Sequence, residues 1–146
     1  MGLAGFLASL AGTSVISVAA RLFLAALFLI FGWRKVRDYS GTVNQMAQDR
    51  LPMPVLATAV AIFMELPVAF AVAVGVFTRP AAVLLALYTM GTSLVEHRFW
   101  TKGSADQVEI MENFFKNLSI IGGFLLLAIA GGGKYSLDAL LGIATP

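Results

Sequence analysis

Apolar residues fill four stretches of the chain, residues 14–36, 55–77, 81–99 and 113–130, with short polar or glycine-rich intervals between them. Each is close to the roughly 20 residues that a helix needs to cross a bilayer. Only helices and closed barrels satisfy their backbone in lipid, and nothing here alternates with the period of a strand. The pattern predicts an all-α, membrane-spanning, up-and-down four-helix bundle, one domain over residues 1–146. Residues 78–80 leave room only for a tight turn, with Pro80 opening the third helix, so the second and third helices should be antiparallel neighbours.

Between the apolar stretches, residues 37–54 are polar and punctuated by Pro52 and Pro54, and read as a loop with at most one interfacial turn. Residues 101–112 are mixed in charge and read as a second loop. Gly122-Gly123 should permit a close helix contact. Gly131-Gly132-Gly133 ends the fourth helix, and residues 136–143 predict a short interfacial helix with Asp138 in its first turn. Residues 1–13 carry no basic residue, which argues for an interfacial lead-in and against a signal peptide.

Composition sharpens this picture. Only 12% of the 146 residues are charged, about half the share of a soluble domain, and mean hydropathy is +0.86. A net charge of +2 gives no reason to expect nucleic acid. With no cysteine and a single histidine, disulfides, thiolate-held clusters and bis-histidine haem within one chain are excluded. Arg34, Lys35, Arg37, Arg50, Arg98, Lys102 and Lys116 fall at one end, against Arg79 and Lys134 at the other. The positive-inside rule then predicts an inner-membrane protein with both termini periplasmic.

The candidate chemistry lies on charges within the apolar runs. Glu65 sits mid-helix, two residues before Pro67, whose missing N–H should bend the helix there. At 1.5 Å per residue, Glu65 lies about 16 Å below Pro54, Tyr88 about 18 Å below Trp100 and Arg21 about 18 Å below Trp33. Three helices thus bring Arg21, Glu65 and Tyr88 to one depth. The expectation is an Arg21–Glu65 pair, direct or through Tyr88 or a water. It would serve as a structural lock or, with Glu65 as the catalytic or proton-bearing group, as a ligand site. Tyr88, Thr92 and Glu96 form a stripe on the third helix, which also admits a small-molecule permeation path. Nearer the basic end, Glu96, His97, Lys116 and Asn117 suggest either interfacial packing or a headgroup site. The acids there are too scattered for a metal.

Several pieces together carry a resemblance: the Arg21 helix with its FGWRK exit, the mid-helix Glu65, GVFTRPAA, His97-Arg98-Phe99-Trp100, and Lys116-Asn117-Leu118. The chain resembles the DoxX family of small bacterial membrane proteins from about residue 14 to 141. That resemblance implies a four-helix membrane fold and redox associations: a subunit of thiosulfate:quinone oxidoreductase, or membrane partners of oxidative-stress enzymes. It makes quinone the expected small ligand, with no intrinsic cofactor, and a redox partner subunit or homo-oligomer the expected company. Glu96-His97 stands where the family often has Phe-His. A structural or assembly protein without catalysis is the alternative.

Overall fold

The computed structural model describes residues 2, 3, 5, 14–96, 100 and 103–143, and its regular structure is entirely helical among them. The elements are α1 (Ser14–Arg37), α2 (Tyr39–Gln48), α3 (Pro54–Val74), α4 (Thr78–Glu96), α5 (Ser104–Ala130) and the short α6 (Leu137–Leu140). Three helical spans, Val15–Arg37, Pro54–Val74 and Asp106–Ala130, are long and apolar enough to cross a membrane. α4 is more polar, carrying Arg79, Tyr88, Thr89, Thr92, Ser93 and Glu96 over 19 residues. The lead-in expected over residues 1–13 lies mostly outside the described residues.

The core is built from small and branched side chains. Ala69, Val72, Ala82, Leu85 and Phe124 are fully buried where α3, α4 and α5 meet. Small residues let helix backbones approach closely where lipid supplies no hydrophobic drive for association. Phe28 of α1 meets Phe124 of α5 edge-on, with ring centroids 5.5 Å apart. Gly123 comes so close to α1 that a Cβ there would sit 3.0 Å from Leu24, which is the close contact expected at the glycine pair. Large apolar side chains such as Phe23, Leu126 and Ile129 point outward, as a lipid-facing surface requires.

Two segments read as loops are helical. Residues 39–48 form α2, whose N-terminus is capped by Asp38 accepting a hydrogen bond from the Gly41 N–H at 3.1 Å. Its polarity suits an interfacial helix lying beside α3, where Thr58 Oγ1 donates to Met46 Sδ. α5 starts at Ser104, not at residue 113, because no Gly or Pro interrupts residues 104–112 and Asp106 favours the first turn. The charges that suggested a loop lie on a helix.

The bend expected at Pro67 is a wide π turn over Met64–Val68 within α3. The Ala69 N–H donates to the Met64 carbonyl, five residues back. Opening the ladder by one residue accommodates a proline that has no N–H to give. Glu65 is therefore carried on the irregular turn itself.

Candidate functional site

The Glu65 carboxylate is buried at the centre of a three-helix cluster. Lys35 of α1 donates to both of its oxygens, at 2.9 Å to Oε1 and 2.7 Å to Oε2. Tyr88 of α4 donates its hydroxyl to Oε1 at 2.6 Å. The Glu65 side chain is 8% exposed and that of Lys35 21%. A charge so placed in an apolar protein is retained because it is paired and hydrogen-bonded. α1 reaches this close because Gly32 lies against α3, where a Cβ would come within 2.8 Å of Glu65 Cβ.

Glu65 and Tyr88 meet as their depths predict; Arg21 does not join them. Depth counted from Trp33 puts Arg21 level with Glu65. Instead α1 runs on to Arg37, and Gly32 and Lys35 stand level with Glu65. Arg21 is about 16 Å further along α1. It donates from Nη1 to the Ala73 carbonyl at 3.2 Å and from Nη2 to the Tyr135 carbonyl at 2.7 Å. It belongs to a second cluster, at the α6 end of the molecule.

That second cluster joins the C-terminal segment to the α3–α4 turn. Asp138 accepts from the Phe77 N–H at 2.7 Å, the Thr78 N–H at 2.9 Å and the Thr78 hydroxyl at 2.7 Å. Its own N–H donates to the Gly75 carbonyl at 2.8 Å. Ser17 of α1 donates to Gly132 O at 2.8 Å. Burial alone would raise the Asp138 carboxyl, but the Thr78 amide and hydroxyl, the Phe77 amide and the nearby Arg21 charge hold it below the ordinary carboxylate range. The acid assigned to the first turn of α6 also serves the first turn of α4.

One cavity is lined by Glu65 itself, and two others share lining residues with it. An inner cavity of about 150 Å3 is bounded by Glu65, Lys35, Tyr88, Thr92, Phe28 and Asn117, among others. A polar cavity of about 450 Å3 under α2 is lined by Arg34, Lys35, Asp38, Asp49, Gln45 and Glu96. A mostly apolar vestibule of about 450 Å3 between α3 and α4 is lined by Leu56, Val60, Gly91, Thr92, Val95 and Glu96, among others, and reaches Tyr88. Glu96 borders all three. The expected stripe Tyr88, Thr92 and Glu96 therefore does line open space.

The remaining candidates divide. Asn117 lines the inner cavity and donates to Ser93 Oγ at 2.9 Å. Lys116 is turned away, exposed and bonded to Asn113 Oδ1 at 2.6 Å. His97 lies outside the described residues. Lys35 is the residue that sequence reasoning missed. In the run Trp33-Arg34-Lys35 it read as an interface anchor, and the one available signal was that a lysine one turn past Gly32 can follow the close approach of that glycine inward.

Two relatives bear on what kind of protein has this architecture. The chain is similar to the inner membrane protein YphA of Escherichia coli K12, 44% identical over 128 residues that span 88% of this chain and 91% of that one. It is also similar to the inner membrane protein YqjF of the same organism, 36% identical over 124 residues, 85% and 90% of the two chains. No solved structure matches it. Residues 16–98, which carry Arg21, Lys35, Glu65 and Tyr88, match the DoxX signature, and the chain belongs to the DoxX family.

Proposed function

We propose that this protein is an inner-membrane quinone-binding subunit or accessory of a redox system, with the quinone head received at Glu65, Lys35 and Tyr88. The observation that carries the reading is a buried acid–lysine–tyrosine cluster beside an inner cavity, next to an apolar vestibule. A bound quinone supplies reversible two-electron, two-proton chemistry between a dicarbonyl and a diol. The residues suit both forms. Lys35 has a third N–H to offer a ligand carbonyl, while the Tyr88 oxygen and Glu65 Oε2 keep lone pairs to accept from a ligand hydroxyl. Glu65 and Tyr88 are placed to hold or pass a proton at the head. The chain's composition leaves the electrons to a partner subunit.

In this reading α4 also crosses the bilayer, making a four-helix bundle with both termini periplasmic and α2 on the cytoplasmic surface. Reporters fused after residue 146 should give a periplasmic signal, and reporters within residues 37–50 a cytoplasmic one; the reverse pattern would exclude this orientation.

Thermal-shift measurements with a short-chain quinone test the function. The wild type should be stabilised and Glu65→Gln should lose that response while remaining folded. A second reading, in which the cluster only locks helices together, is favoured by the complete pairing of Glu65. It predicts no ligand response in either protein.

A further inference from the structure

The inner cavity and the vestibule differ in size and polarity, and together they constrain the ligand more than either alone. The inner cavity, about 150 Å3, holds the polar cluster. A cavity of that size accommodates about one benzene-sized ring. Its inner side is firm: Phe28 is 6% exposed and fixed against Phe124, and Thr89 is 3% exposed and held through its hydroxyl to Leu85 O at 2.7 Å, while the exposed side chains of Leu27 and Phe31 form the outer side. Asn117 adds an amide to the lining, its Nδ2 bonded to Ser93 and its carbonyl oxygen available. The vestibule is three times larger and almost wholly apolar, lined by Leu56, Val60, Gly91 and Val95. Tyr88, Thr92 and Glu96 border both spaces, which sets the two cavities side by side.

We propose that the site selects an amphipathic ligand with a single-ring, oxygen-bearing head in the Glu65 cavity and an aliphatic tail in the α3–α4 vestibule, and that it rejects fused two-ring heads. This rests on the ligand-binding reading above and adds the ligand class. The tail lies against Gly91, where a Cβ would meet nothing within 4 Å. That glycine leaves space that a side chain could fill without displacing backbone. Gly91 is a specificity position for the tail, as Phe28 and Thr89 are for the head.

The test uses the full-length protein in detergent, with binding read by thermal shift and by quenching of tryptophan fluorescence. Decyl-benzoquinone, decyl-naphthoquinone and a tail-less benzoquinone are the probes. The single-ring probe should bind about tenfold more tightly than the two-ring probe, the scale expected when an oversized group enters a packed site. Leu27→Ala, on the outer side of the inner cavity, should narrow that gap. Gly91→Leu should weaken the decyl probe and leave the tail-less one unchanged. Equal affinity for one-ring and two-ring heads, both lost in Glu65→Gln, overturns the size selection while leaving the ligand site in place. Equal loss of tailed and tail-less probes in Gly91→Leu overturns the vestibule assignment. Binding of no probe to the wild type overturns this proposal together with the function it rests on.

Discussion

Lys35 on α1 and Glu65 on α3 stand 30 residues apart in the chain and 2.7 Å apart in space. A pair this deep cannot be separated cheaply, since either partner alone would be a desolvated charge. Lys35→Met and Glu65→Gln should therefore each destabilise. The scale in soluble proteins is about 3–5 kcal/mol, and a bilayer that permits snorkelling should lower it. Unfolding measured on both single variants and the double variant should give a double loss well below the sum. Additive losses would mean that the two side chains do not act as a pair.

Arg21 and Glu65, by contrast, occupy opposite clusters with no shared partner. Distant sites add within about 0.5 kcal/mol. Arg21→Ala with Glu65→Gln should lose the sum of the two single effects in the same assay. A coupling larger than that would restore the direct partnership expected from depth alone.

Two glycines offer opposite outcomes from one substitution. At Gly32 a new Cβ would press on Glu65 Cβ at 2.8 Å and on its backbone carbon at 3.0 Å. Gly32→Ala should cost about 1–3 kcal/mol, as overpacking does. Gly91→Ala meets no atom, and should be neutral or stabilising by up to about 1 kcal/mol through helix propensity. Midpoints of thermal unfolding for the two variants decide it. Equal effects would show that α1 does not rest on the turn carrying Glu65.

Asp138 predicts a pH dependence. Its carboxyl lies below the ordinary range when folded, so between the folded and unfolded values the unfolded chain binds the extra proton. The stability it contributes is complete above the unfolded value of about 3.9 and is lost as pH falls through the lower folded one. Thermal midpoints of the wild type should fall on acidification through that window, and Asp138→Asn should start lower and fall less. An unchanged slope in the variant would mean that other carboxylates carry the acid sensitivity.

What could be read beforehand follows from how local each signal is. The apolar runs announced α1, α3 and α5, because a span needs only length and hydropathy. The meeting of Glu65 with Tyr88 was legible because depth counted from Pro54 and from Trp100 brings both to one level, on α3 and α4. Lys35 was hidden by its company: beside Trp33 and Arg34 a lysine looks like a surface anchor, and only the approach of Gly32 to Glu65 turns it inward. α2 and the first turns of α5 were hidden by polarity, which marks a loop and an interfacial helix alike. The double duty of Asp138 rests on contacts 60 residues distant, which no local pattern carries.

Those same 60 residues have a consequence in time. The carboxylate that closes the first turn of α4 does not exist when that helix leaves the ribosome. At synthesis rates of about 5–20 residues per second, roughly 3–12 s pass before Asp138 is made. During that interval the amides of Phe77 and Thr78 have only water, headgroups or the insertion machinery as partners. Docking of Asp138 onto them is thus a late, post-insertion event. Strains carrying Asp138→Asn should accumulate inserted but protease-sensitive chains, with the lesion concentrated at the α3–α4 turn.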